Sequence, residues 1–307
     1  NIHEQFQKWR RLRERCSLLR RNNNSNRKVK GIAVLLGFAI VLSACKGVKP
    51  AENTKIPAAT YLGGDNTLAE VNKELNAAGA SHIDTFEEWV SDFANTAGKK
   101  AKLEDTWSEP EKLNADISKC MDGWEEHHDF SDANCRMTAF VLLDGLLKAD
   151  STEENYKGTY LMFDTEAIDG VERYALLRDN KDMFTTLFGE KTIVDEAHPE
   201  TTFSDSWKQY GYQIDNDKIS LVSVVIQDPY ENVVFVGHTG VLIKCDGYYL
   251  FVEKIAFEQP YQVTKVNSMD ELLTMLSARP EYFGEEGETG PYVYNNGTYV
   301  GTLKQSK

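Results

Sequence analysis

The chain has 307 residues, 41% of them apolar, with fourteen each of Phe and Tyr and a formal net charge of −14. That is enough apolar sequence for a sizeable core, in one large domain or two small ones. Residues 1–44 hold ten Lys or Arg against two Glu, a net of +8, so residues 45–307 carry −22. An acidic body of that kind argues against nucleic acid or an anionic membrane surface as its partner, and leaves neutral or cationic ligands open.

The basic arm leads into an uncharged run over residues 31–44, rich in Ile, Val, Leu and Phe. The run is short for a transmembrane helix, which needs about 20 apolar residues, and has the length and flanks of a signal-peptide core. It closes on Leu42-Ser43-Ala44-Cys45, which resembles the lipobox of bacterial prolipoproteins. The resemblance implies a signal peptide over 1–44 with a long basic n-region and cleavage before Cys45. It also implies a diacylglyceryl anchor on that cysteine and a place on the extracytoplasmic face of the cell membrane. Residues 45–60 then read as a lipidated Cys and a flexible tether, and residues 61–307 as a single α+β domain.

The first half of that domain reads helical. Asn66 is placed to cap a helix to about residue 76 with Leu68, Val71 and Leu75 on one face. Asp84 is placed to cap the next, with Glu87 at the capping-box position and a stripe of Phe86, Trp89, Val90 and Phe93. Pro110 suits the first turn of a third helix running through Ile117 and Met121. After a polar stretch over 124–129 comes the most apolar helix, 134–147, capped by Asn134 or Ser131. Residues 159–163 (Thr-Tyr-Leu-Met-Phe) read as a strand, and short helices are expected around 184–188 and 204–210.

The second half reads as strands. Residues 219–227 are β-branched and end at Asp228-Pro229. Residues 233–244 and 248–257 flank Asp246-Gly247, a hairpin signal, and 292–294 and 298–300 flank Asn295-Asn296-Gly297. A helix is expected over 270–276. Helices first and an antiparallel sheet after indicate an α+β fold.

In the mature chain that begins at Cys45, with that cysteine assigned to lipid, Cys120, Cys135 and Cys245 remain, so at least one thiol stays outside any intramolecular disulfide. Cys135 opens the apolar helix, where backbone N–H groups and the helix dipole favour a thiolate. The bland alternative is a buried apolar residue, or half of a disulfide with Cys120. His238 lies mid-strand between Gly237 and Gly240, which weaken a strand unless something approaches closely. By alternation it shares a face with Val234, Val236 and Leu242. A two-residue Asp246-Gly247 turn sets His238 opposite Ile255 and makes Glu253 its diagonal neighbour on that face. Glu253 is a carboxylate in an aromatic and aliphatic strand and needs a partner if buried. The three then supply nucleophile, base and orienting acid.

The segment from Val236 to Ile243 with Asp246-Gly247 resembles the histidine hairpin of NlpC-type cell-wall peptidases, a papain-like branch acting on amide bonds of peptidoglycan stems. The resemblance implies a papain-like fold, Cys135 as nucleophile, His238 as base and Glu253 as the third residue, with no cofactor and peptidoglycan peptides among the substrates. The Asp-Cys-x-Gly signature of that family is absent, replaced by Asn134-Cys135-Arg136-Met137, and the interval from Cys to His is longer. Asn134-Cys135-Arg136-Met137-Thr138, His238-Thr239-Gly240-Val241 and Phe251-Val252-Glu253-Lys254 are together similar to a family of uncharacterised Gram-positive lipoproteins. Two rivals stand beside the thiol-hydrolase reading. One is a metal site from Cys120, His127 and His128 with Glu125 or Asp129. The other is a lipoprotein that binds a ligand or partner on a non-catalytic version of the scaffold.

Overall fold

The computed structural model describes residues 56–228, 230–283 and 290–305. The basic arm, the apolar run, Cys45 and the tether to residue 55 lie outside the described residues, as does Pro229. The described residues belong to one compact unit, 54–307. It opens with strand β1 (Ala58–Tyr61), buried throughout, so residues 58–60, read from sequence as the end of the tether, belong to the sheet.

Two amphipathic helices follow. α1 (Asp65–Ala78) ends in a left-handed Gly79, and α2 (Ile83–Phe93) buries the expected stripe of Phe86, Trp89, Val90 and Phe93. Asp84 lies inside the first turn of α2 rather than at its cap, a place taken by His82 at φ 44°. Glu87 reaches across to accept from Asn72 on α1 at 3.1 Å instead of closing a capping box. Pro110 starts a separate 3₁₀ turn (Pro110–Lys112). α3 (Ile117–Glu125) begins afterwards, with Asp116 accepting the Lys119 N–H at its N-cap.

α4 (Cys135–Leu143) is capped by Asn134, whose side chain accepts from Arg136 and Met137 N–H. It stops at Leu143, short of the expected 147, and Leu147 instead enters the small ladder of β2 (Leu147–Lys148) with β4 (Gln213–Ile214). Residues 159–163 are not a strand but the approach to α5 (Met162–Gly170). α6 (Ala175–Asp179), α7 (Lys181–Phe188), β3 (Lys191–Thr192) and α8 (Thr202–Gln209) complete the helical part.

The rest is β5 (Ile219–Asp228), β6 (Val233–Lys244), β7 (Tyr249–Lys254), β8 (Tyr261–Val266), α9 (Met269–Ser277), β9 (Tyr292–Asn295) and β10 (Thr298–Thr302). Among the described residues these form an antiparallel sheet in the order β1-β8-β7-β6-β5-β9-β10, with β3 on the start of β6. Alternation divides its side chains between two cores. Leu221, Val225, Val241, Ile243, Leu250 and Val252 pack against the helices that precede the sheet. Val222, Val224, Leu242 and Phe251 pack against α9 and Tyr282 on the other face. The fold is therefore α+β, with helices on an antiparallel sheet. No helix among the described residues is long and apolar enough to cross a membrane.

Candidate active site

The hairpin of β6 and β7 has the register its turn dictates. Val241 pairs with Val252, Leu242 with Phe251 and Lys244 with Tyr249, around Gly247 at φ 84°. The ladder ends at Val241 and Val252, so His238 and Ile255 do not pair as expected. On the other side of β6 the register slips between Val224 and Val225, which face His238 and Val236, so Gly237 is the extra residue of a β-bulge. The bulge reverses which way side chains point. Val234 and Val236 join the helical core, whereas Leu242 joins the core on the opposite face. His238 lies with Leu242, not with Val234 and Val236 as simple alternation predicts, and its ring packs against Phe251 and Tyr282. Gly240 is required by close approach: a Cβ there would sit 2.5 Å from the Phe251 ring and 2.9 Å from the Val252 carbonyl oxygen.

The stretch of β6 between its pairings with β3 and β7 meets the N-terminus of α4 instead of another strand. Arg136 Nη1 donates to the Val236 carbonyl at 3.0 Å. The His238 ring and the Thr239 N–H both lie close enough to Cys135 to act on its thiol. The three residues singled out in the sequence thus come together: Cys135 beside His238, near enough for their charges to couple, and His238 Nε2 2.7 Å from Glu253 Oε2. Since Nε2 is committed to Glu253, the ring nitrogen left to Cys135 is Nδ1.

Glu253 is held by more than histidine. Arg279 grips it as a fork, Nη1 to Oε2 at 2.7 Å and Nη2 to Oε1 at 2.6 Å, and Gln262 Nε2 donates to Oε1 at 3.3 Å. Both oxygens accept from more than one group, which an ionised carboxylate can satisfy and a protonated one cannot. Burial would raise the Glu253 carboxyl, but Arg279 first and His238 second bring it down to about 2. An ionised Glu253 makes His238 Nε2 a donor and fixes the ring. Tyr282 stacks on that ring at 5.5 Å between centroids, and its hydroxyl accepts from Arg279 at 2.7 Å.

The thiol and imidazole move in opposite directions. Burial pushes the Cys135 thiol up, but the His238 charge and hydrogen bond, the Arg136 guanidinium and the Thr239 N–H outweigh it and hold the thiol below its ordinary value. Burial disfavours the His238 imidazolium, yet the Cys135 charge and hydrogen bond, followed by Glu253, raise it to about 9. Both shifts favour a thiolate and imidazolium in this pair. Both groups are shielded, Cys135 being 5% and His238 2% exposed.

Cys120, Cys135 and Cys245 are all free thiols, so Cys135 is not half of a disulfide with Cys120. Burial raises Cys120 and Cys245 to about 11 each, which sets them apart from Cys135. The rival metal set is dispersed. His127 Nδ1 contacts the Gly123 carbonyl, while His128 stacks on Trp124 and reaches Asp92 at 3.1 Å. Among the described residues no group of three His, Cys, Asp or Glu side chains is placed to hold a metal. Sequence reasoning missed Arg279, Gln262 and Tyr282. The need of a buried Glu253 for a cationic partner was legible, but nothing in the sequence singled out an arginine beyond the end of α9.

A model of a domain of unknown function, DUF4300, matches residues 59–300, and the chain belongs to that family. No curated protein and no solved structure matches the chain.

Proposed function

We propose that this DUF4300 member is a thiol hydrolase, a cysteine peptidase or amidase with a papain-like site, carried outside the cell on a lipid anchor at Cys45. The observation that carries the reading is the chain of contacts Cys135–His238–Glu253–Arg279, in which the thiol is drawn down and the imidazole up. A nucleophile opening a helix that packs on an antiparallel sheet, with base and carboxylate on the two strands of a later hairpin, is the papain-like order of parts. The −22 of residues 45–307 favours a neutral or cationic substrate, such as a cell-wall peptide.

The chemistry follows from the geometry. The Cys135 thiolate attacks the substrate carbonyl carbon, forming a C–S bond. His238 Nδ1–H then passes its proton to the leaving nitrogen as the C–N bond breaks, leaving a thioester. Neutral His238 next takes a proton from water, whose oxygen displaces the sulfur and regenerates the thiolate–imidazolium pair. Glu253 keeps the ring in one tautomer and balances the imidazolium throughout. The Asn134 cap uses the Arg136 and Met137 N–H groups, so the carbonyl oxygen falls to the Cys135 N–H, which helix geometry leaves without an intrahelical partner.

The test is turnover of muropeptides and small acyl peptides by the full chain. Cys135→Ala should abolish it, and unchanged turnover in that variant sinks the assignment. Rate against pH should be bell-shaped, with an acid limb below the ordinary thiol range and an alkaline limb near 9, where His238 gives up its proton. The near-complete burial of Cys135 and His238 supports a second reading, a lipoprotein that binds a partner on this scaffold without turnover. Absence of hydrolysis together with an ordinary thiol pKa for Cys135 would decide for it. The anchor is tested separately: Cys45→Ala should prevent palmitate incorporation and release the protein from the membrane fraction. Continued incorporation would remove Cys45.

A further inference from the structure

The residues on either side of Cys135 converge on one buried carboxylate that the proposed chemistry does not use. Asp164, on α5, is 1% exposed. Its Oδ1 accepts from Asn134 Nδ2 at 2.8 Å and from Arg136 Nε at 2.9 Å, and its Oδ2 accepts from Arg136 Nη2 at 2.7 Å. Each donor has a second task at the site. With its Nδ2 committed to Asp164, Asn134 must turn its Oδ1 toward the helix, where it caps Arg136 N–H at 3.0 Å and Met137 N–H at 3.1 Å. With Nε and Nη2 committed in the same way, the Arg136 fork aims Nη1 at the Val236 carbonyl, one residue before the Gly237 bulge that turns His238 toward Cys135.

We infer that Asp164 is a positioning residue for the nucleophile: through Asn134 and Arg136 it locks the start of α4 against the bulged strand that carries the base. The inference rests on the thiol-hydrolase reading. A planar fork held at three nitrogens by two acceptors on different elements fixes the guanidinium in direction as well as distance, which lysine cannot reproduce. The same fork holds a positive charge beside Cys135, so releasing it would both loosen the contact with β6 and take stabilisation from the thiolate. Asp164 touches neither the thiol nor the imidazole and acts only through the two residues it holds.

The experiment is the pH dependence of iodoacetamide alkylation of Cys135 in the full chain, followed by peptide mapping so that Cys120 and Cys245 are counted apart. Asp164→Asn keeps the shape but gives up the charge and one acceptor. It should slow Cys135 alkylation at pH 6 by at least about tenfold and move the midpoint toward the ordinary thiol range, about 8.5. Arg136→Lys retains the charge, loses the fork, and should do the same to a smaller degree; it decides the matter if Asp164→Asn does not fold. Wild-type profiles in the folded variants, with only a lower melting temperature, would make Asp164 a fold-holding residue and overturn the inference. His238→Ala separates this from the underlying reading. If it leaves the Cys135 profile unchanged, the thiolate–imidazolium pair fails, and the role of Asp164 fails with it. If it shifts the profile and Asp164→Asn does not, only the role of Asp164 fails.

Discussion

Glu253 and Lys254 are adjacent on β7, point to opposite faces of the sheet, and are both buried charges, yet their surroundings differ in kind. Glu253 is surrounded by donors: Arg279 as a fork, His238 and Gln262. Lys254 on the helical side has Asp132 Oδ2 at 2.8 Å, with its Nζ over the Phe93 ring at 3.5 Å and the Tyr261 ring at 4.3 Å. Burial lowers the Lys254 ammonium despite Asp132, whereas Glu253 is driven further into its charged form. A buried ion pair is thus not in itself a sign of chemistry. What distinguishes Glu253 is that one of its donors has a second ring nitrogen in contact with a thiol.

The largest expected effect separates the two in stability. Glu253→Gln strands the Arg279 fork and should lower the unfolding free energy by about 3–5 kcal/mol, as breaking a buried pair does. Lys254→Met fills similar volume and leaves Asp132 with Arg173, 3.8 Å away, so a loss of about 1–3 kcal/mol is expected. Chemical denaturation of both variants checks the order, and equal losses would remove the contrast.

A somewhat smaller effect lies in acid. The folded Glu253 carboxyl is depressed from its unfolded value near 4.5 to about 2, so its contribution is present above 4.5 and lost as pH falls through 2. On the order of 3 kcal/mol of wild-type stability should disappear across that window, and Glu253→Gln should show a shallower slope. Cys135 and His238 add little slope around neutrality. Forming their ion pair moves a proton from sulfur to nitrogen without changing the number bound. A steep fall in stability between pH 6.5 and 9 would contradict that pairing.

The smallest effect sharpens the role of Tyr282. Tyr282→Phe keeps the ring over His238 and removes only the acceptor for Arg279. It should cost about 1 kcal/mol and leave the alkylation rate of Cys135 within about threefold. A loss of tenfold or more would mean that the hydroxyl, and not the ring, matters to the site.

Several elements were legible because local pattern and tertiary environment agree. The stripe on α2, the apolar α4 with its Asn134 cap, and both hairpins are where periodicity and turn chemistry put them. The misreadings have specific causes. Residues 159–163 look like a strand by composition, but they lead into α5, whose Asp164 is held by Asn134 and Arg136 from a distant part of the chain. That misreading also hid Asp164. The face shared by His238 was misassigned because a bulge shifts alternation by one residue, and a glycine in a strand does not announce whether it marks a bulge or a close approach. Gly237 is both, with Ile226 packed against it, and Gly240 is the second.

The sequence by itself determined that Cys135 starts a helix, that His238 and Glu253 lie on neighbouring strands of one hairpin, and that Glu253 needs a partner. These follow from capping, alternation and the Asp246-Gly247 register, all of which act within a few residues. Only the tertiary structure decided that α4 meets β6 where one edge of the strand lacks a neighbour, that Gly237 turns His238 toward the thiol, and that Arg279 and Asp164 hold the two halves of the site. The hydrogen bonds that make these contacts join residues from 26 positions apart, Glu253 and Arg279, to 100 apart, Arg136 and Val236. Their physical cause is the need of buried charges for partners, which the sequence states but does not address to a particular residue.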